Sequence, residues 1–152
     1  MVRTMVRLCL PLITGIHRFI FEKSGHRMGW GAAGFEFLVL ENIGRKSGLV
    51  RQTPLLFVAH HGTWLIAASN AGQDKDPVWW LNLCASPDVH IRTKQGRTAV
   101  HARRAEPPEE EKLWAVMIEV MPWFQNYRAG TNRTIPLVIL EPREISPGEA
   151  TI

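Results

Sequence analysis

Gly44-Arg45-Lys46-Ser47-Gly48 follows an apolar run and precedes Arg51 and Pro54, a spacing that gathers an anion trap into one short loop. The two glycines let the backbone turn, Arg45 offers a planar fork of donors, Lys46 a point charge and Ser47 a hydroxyl. A phosphate-bearing ligand is the natural occupant. Nucleoside triphosphates are excluded, because the P-loop needs a glycine where Val39 or Leu40 stands and a glycine, not Arg45, before its lysine. Taken alone the loop also reads as an ordinary basic turn, so its meaning depends on the elements that carry it.

Those elements follow from hydrophobic periodicity. Residues 35–40 form an apolar strand that feeds the loop, residues 50–59 the next strand, His60-His61-Gly62 a hairpin turn, and residues 63–69 the returning strand. Asp76-Pro77 opens a short helix over residues 78–83, with Asp76 as the N-cap and Pro77 at the first helical position. Residues 89–94 and 98–104 alternate apolar and polar around a Gln95-Gly96 turn, giving a hairpin with one wet face. Glu106 to Glu111 start a second helix whose acids complement its positive end and whose stripe is Leu113, Trp114, Met117, Val120 and Met121. After Pro122 a short segment carries the single tyrosine, Tyr127, and residues 134–140 form a last apolar strand. Six strands joined mostly by hairpins, with two or three helices inserted, predict a mainly β (α+β) fold, a small closed or half-closed antiparallel barrel. A barrel mouth suits a flat ring.

The chain has 152 residues, 45% hydrophobic and 21% charged, enough for one core. Residues 1–30 read as a helical arm with a glycine-rich loop, 31–142 as the barrel domain and 143–152 as a loose tail. The net charge of +4 suits acidic partners. Its basic residues are scattered, without a Lys/Arg tract or an aromatic RNP pattern, so nucleic acid is not an expected partner. Cys9 and Cys84 lack a Cys-x-x-Cys pattern and the histidines lack paired spacing, which predicts reduced packing cysteines, no metal and a cytoplasmic location. The first 16 residues have no cleavage site and are too short and interrupted to span a bilayer. Ile16, Phe19, Ile20 and Lys23 share a helical face, which fits either core packing or peripheral contact with the inner face of an anionic membrane.

Four motifs in order, Gly44 to Gly48 with Arg51, Thr53 and Pro54, then Ala67-Ala68-Ser69-Asn70-Ala71-Gly72, then Pro77-Val78-Trp79-Trp80-Leu81-Asn82-Leu83, then Arg133-Thr134-Ile135-Pro136, resemble the deazaflavin (F420)-dependent nitroreductase family. The resemblance implies a split β-barrel related to flavin reductases that binds coenzyme F420, with its anionic phosphate and oligoglutamate tail. It assigns cofactor contacts to Arg45, Lys46, Ser47, Arg51, Thr53, Pro54, Leu55, Leu56, Ala67, Ala68, Ser69, Asn70, Val78, Trp79 and Asn82. The implied reaction is hydride transfer to a small electron-poor acceptor such as a quinone, an enone or a nitroaromatic compound, which needs no protein nucleophile. Ser69 and Tyr127 are the expected catalytic donors, and Met121, Phe124 and Tyr127 the expected acceptor pocket.

Compared with the best-known nitroreductase branch, this chain has Asn70 in place of a lysine and Met121 and Phe124 in place of tyrosines, so the acceptor side is more apolar. Nitroimidazole prodrugs are accordingly expected to be poor substrates. An FMN-binding reductase on the same barrel, lower ranked, and a non-catalytic deazaflavin carrier are the alternatives. The sequence sets no oligomeric state.

Overall fold

In the computed structural model, residues 31, 32 and 35–145 are described. The arm, nearly all of the glycine-rich loop, Cys9 and the last seven residues therefore lie outside the described residues. The strands are β1 (Gly31–Ala32), β2 (Phe35–Ile43), β3 (Val50–Leu56), β4 (Val58–His60), β5 (Thr63–Ala67), β6 (Asp88–Thr93), β7 (Gly96–Arg104) and β8 (Leu137–Pro142). The helices are α1 (Val78–Ala85), α2 (Glu109–Val120) and α3 (Trp123–Ala129). None of the described helices is long and apolar enough to cross a membrane.

All strand pairs are antiparallel, in the order β2-β6-β7-β8-β5-β4, with β1 and β3 both on β2. The expected strand over residues 50–59 changes partner midway. Its first half, β3, pairs β2 from Val50↔Ile43 to Leu56↔Phe37, and its second half, β4, pairs β5. The switch occurs at Phe57, a buried side chain between the two ladders. One extended segment thus joins both edges of the sheet and curls it into a split barrel, the six-stranded architecture expected from the sequence with one strand broken.

Two apolar clusters divide the interior. Leu38, Leu40, Ile66, Val100, Val138 and Leu140 fill the barrel, closed by Trp79 and Leu83 of α1. Leu65, Leu137 and Ile139 face the other way and are covered by Trp114 and Met117 of α2 and by Met121 and Phe124. β8 is buried on both faces, which explains its unbroken Leu-Val-Ile-Leu run.

Several boundaries differ from the sequence reading. α1 starts at Val78 because Pro77 is extended (φ −66°, ψ 145°) and occupies the cap position. Asp76 makes no cap; its carboxylate pairs with Arg133 at 2.8 Å. The last strand is Leu137–Pro142 and not 134–140, so Glu141 still belongs to the sheet. β2 continues to Ile43, and β5 ends at Ala67, leaving Ser69 outside the strand. Val120, expected in the stripe of α2, is 45% exposed, while Leu113, Trp114, Met117 and Met121 are buried. Cys84 is exposed rather than packed, and burial of its thiol nevertheless raises its pKa.

Outside the barrel interior, Glu41 of β2 is tied to three other strands, β3, β6 and β7. It accepts from Arg97 Nε at 2.8 Å, from Arg92 Nε, and from Gln52 Nε2 at 3.4 Å. Burial pushes its carboxyl up, but hydrogen bonds and charge from Arg97 and Arg92 outweigh that and hold it below the ordinary 4.5. The stabilisation is complete above that ordinary value and is lost as pH falls through the lower folded value. Both guanidiniums are more than a third exposed (38% and 43%), which limits the gain. Glu41→Gln is expected to cost about 1–2 kcal/mol at neutral pH. It should also flatten the acid limb of stability, measured as the urea midpoint between about pH 5 and pH 3.

Candidate functional site

The route from β2 through β6, β7 and β8 to β5 crosses four antiparallel pairings, so β2 and β5 run the same way. The loop after β2 and the turn after β5 therefore leave the same end of the barrel. β8 runs oppositely, so the segment that enters it, with Arg133, arrives at that end too. Gly72 brings Tyr127 there, since a Cβ at Gly72 would stand 3.3 Å from Tyr127 Cδ1.

The basic loop is a tight, self-bonded turn. Gly44 N–H donates to Leu49 O at 2.8 Å, and Ser47 and Gly48 N–H donate to Gly44 O at 3.1 and 2.7 Å. Gly44 is required by close approach, because a Cβ would lie 2.6 Å from Ser47 Oγ and 3.3 Å from the Leu49 carbonyl. Ser47 Oγ accepts from Leu49 N–H at 3.3 Å and Arg51 Nη2 at 3.5 Å, which leaves its own hydrogen to donate. Buried Asn82 of α1 accepts through Oδ1 from Arg45 N–H at 3.1 Å and from Arg45 Nη1 at 3.4 Å. Asn42 Nδ2 ties the same helix down by donating to Trp79 O at 3.1 Å.

Among the described residues, no carboxylate pairs with the charges of this loop. Arg92, Arg97, Arg103, Arg104, Arg128, Arg133 and Arg143 each stand within salt-bridge distance of a carboxylate. Among the described residues, Arg45 and Arg51 are the arginines without such a partner, and exposed Lys46 lies between them. Ile43, Leu49 and Val50, 43%, 60% and 63% exposed, give the hairpin an apolar flank.

After β5 the backbone turns left-handed for three residues, Asn70 (φ 45°), Ala71 (φ 53°) and Gly72 (φ 75°). Glycine accepts this conformation, and alanine does so at a cost of roughly 1–2 kcal/mol. Ser69 before it is right-handed (φ −75°, ψ −28°). A right-handed residue followed by a left-handed one turns successive N–H groups, here of Ser69, Asn70 and Ala71, toward one concavity that suits an anion or a carbonyl oxygen. None of these three N–H groups has a partner among the described residues. The carbonyl side is fully engaged. Arg133 Nη2 donates to Ala68 O at 2.8 Å and Ser69 O at 3.0 Å, its Nε to Gln73 O at 2.9 Å, and its Nη1 to Asp76 Oδ1 at 2.8 Å. The amide of Asn70 is used internally, donating to Gln73 Oε1 and Lys75 O.

Tyr127 is half-buried, edge-on to Phe124 at 5.6 Å between centroids, and burial raises its phenol above the usual 10.0, so it remains a donor through the neutral range. Met121 and Phe124 lie behind it in the outer cluster, 1% and 6% exposed. Trp79 packs into the barrel core, Val78 is 65% exposed at the start of α1, and Ala67 and Ala68 lead into the turn. Thr53 and Leu55 stand opposite Leu40 and Leu38 and share their inward face, whereas Pro54 and Leu56 alternate outward. Arg133, Asn42 and Gly72 carry structural roles at this end that sequence reasoning did not assign. The Asn-Ala-Gly triplet was a turn signal for the last; the partners of the first two are, apart from Asp76, backbone carbonyls, which leave no mark in a sequence.

Removing the Asn82 amide strands a part-buried Arg45 N–H. Asn82→Ala is expected to lower stability by about 1–2 kcal/mol, read from urea unfolding; an unchanged midpoint would contradict the latch.

The sequence profile of F420H(2)-dependent quinone reductases matches residues 15–142. An F420H(2)-dependent quinone reductase of Mycobacterium tuberculosis (strain ATCC 25618 / H37Rv) is 33% identical over 137 residues, 88% of this chain and 90% of that one. A solved F420-H2 dependent reductase, FDR-A, superposes with a TM-score of 0.64 at 32% identity over 69% of this chain and 93% of its own. A second structure, described as a domain-swapped dimer, gives 0.67 at 27% identity over 86% and 98%. Since the profile runs through the hairpin, the left-handed turn, the helices and β8, this chain belongs to the F420H(2)-dependent quinone reductase family.

Proposed function

We propose that this chain is an oxidoreductase that uses reduced coenzyme F420 to reduce a quinone-class acceptor at the end of the barrel described above. The observation that carries the reading is the placement of Arg45 and Arg51, the described arginines without a carboxylate, in one hairpin with Lys46 between them. A polyanionic cofactor tail supplies the missing counter-charge. Arg45, Lys46, Arg51 and the Ser47 hydroxyl hold the phosphate and tail, and Asn82 keeps Arg45 in place. The N–H groups of Ser69, Asn70 and Ala71 hold acceptor atoms of the ring, bordered by Ala67 and Ala68 and by Thr53 to Leu56 of β3.

When bound, reduced F420 supplies the hydride and its electron pair. The protein orients the acceptor and answers the negative charge that develops on its oxygen. Tyr127 donates to that oxygen, with its proton retained because burial disfavours the phenolate. Met121 and Phe124 form the apolar wall behind its ring and fix its direction. Ser69 acts chiefly through its main chain. Asn70, whose amide is tied to Lys75 O, supplies no cation there.

Fluorescence titration tests the cofactor. Lys46→Ala is expected to weaken F420 binding by about 10-fold, the loss of one charge-assisted contact, while FMN binds weakly to both forms. Preference of the parent for FMN would replace F420 in this reading. Tyr127→Phe tests the chemistry: kcat for quinone reduction should fall by about 100-fold with F420 affinity unchanged. In the parent, kcat should stay level with rising pH until above the ordinary phenol value of 10.0. Full activity in Tyr127→Phe would remove its assigned role.

A further inference from the structure

We propose that Arg133 is a positioning residue for the cofactor, acting through the two peptide groups that carry the Ser69 and Asn70 N–H donors. The inference rests on the deazaflavin reading above and extends it to a side chain that faces away from the ligand.

In a trans peptide the N–H points opposite to the C=O. One guanidinium nitrogen, Arg133 Nη2, donates to the carbonyls of Ala68 and Ser69, at 2.8 and 3.0 Å. These belong to the peptide units whose N–H groups are those of Ser69 and Asn70. Holding both carbonyls on one side therefore directs both N–H groups to the other, into the concavity. A cation on the carbonyl oxygen also polarises the peptide and makes its N–H a stronger donor. The guanidinium is itself oriented by Asp76 Oδ1 and Gln73 O, and its side chain is only 14% exposed. Lysine carries the same charge but lacks the fork needed to reach these acceptors together.

A merely structural part for Arg133 would be to tether the segment before β8 to the β5–α1 connection. A second tether makes that same link, Thr131 Oγ1 to Asp74 Oδ1 at 3.0 Å, without touching the two peptides. The two roles are thus separable by experiment.

Oxidised F420 is titrated by fluorescence into the parent, Arg133→Lys, Arg133→Gln and Thr131→Ala, and quinone reduction is measured in each. The expected result is at least 10-fold weaker F420 binding and a lower kcat in both Arg133 variants. The acceptor KM should stay unchanged, and Thr131→Ala should bind like the parent. Equal losses in Arg133→Lys and Thr131→Ala, or parent-like affinity in Arg133→Lys, would overturn the inference while leaving the cofactor reading intact. A parent that binds no F420 would overturn the cofactor reading itself. Should the Arg133 variants not fold, amide NMR of the parent decides: the Ser69 and Asn70 resonances, whose peptide carbonyls Arg133 holds, should move further downfield than that of Ala71 as F420 is added, and equal or absent shifts in a parent that binds F420 reject the proposal.

Discussion

The loop between β5 and α1 cannot hold its shape by local means. Three consecutive left-handed residues, one of them alanine, store roughly 2–3 kcal/mol of backbone strain. Two local backbone bonds, Gly72 N–H to Ser69 O and Gln73 N–H to Asn70 O, are too few to impose it. The guanidinium of Arg133 supplies the constraint from 60 or more residues away in sequence by meeting the carbonyls of Ala68, Ser69 and Gln73. Charge-assisted bonds of this kind contribute about 1.5–3 kcal/mol each, so a pair of them exceeds the strain. The cost of the turn is tolerable only because β8 delivers that arginine to the same end of the barrel as β5.

Barrel closure makes this delivery possible. β8 lies between β5 and β7 and is buried on both faces, by the barrel core on one side and by α2 and α3 on the other. A strand so enclosed has no freedom to slip, since a shift of one residue would exchange Val138 and Leu140 for Leu137 and Ile139 against shapes that do not match. The helices that cover its outer face also carry Tyr127, so the core that fixes β8 also fixes the phenol. The same economy operates at α1, where Trp79 and Leu83 plug the barrel while Asn82 on the same helix reaches Arg45.

The strands and the basic hairpin were legible because each rests on local pattern: alternation in β6 and β7, an unbroken apolar run in β8, glycines at Gly44 and Gly62; the order of the strands in the sheet was not, since it is set by pairings distant in sequence. The partner switch at Phe57 was not, since an apolar run continues through it and only the location of the two ladders distinguishes β3 from β4. The helix cap at Asp76 failed for a related reason. Local logic offers a carboxylate to the free N–H groups of α1, but Arg133 offers it a charged donor at 2.8 Å, and an ion pair charged on both sides prevails over a bond to an uncharged N–H. Asn82 was named only through the family resemblance, as a cofactor contact. Its partner, the main chain of Arg45, was not legible, because a backbone N–H has no side-chain signature.

The charge pattern then sets the sheet surface apart from the end that carries the basic hairpin. On the sheet surface Arg92 and Arg97 converge on Glu41, and Arg103 contacts both Glu109 and Glu141. At the hairpin end Asp76 is engaged by Arg133 and Asp74 by Thr131. Among the described residues this end carries many donors: the hairpin cations, the Ser47 hydroxyl, the N–H groups of the turn and the phenol of Tyr127. Donors of this kind can bind an anion and stabilise one as it forms. Hydride transfer to a quinone makes that demand of a protein, because the reagent is carried by the cofactor and the new negative charge appears on an oxygen.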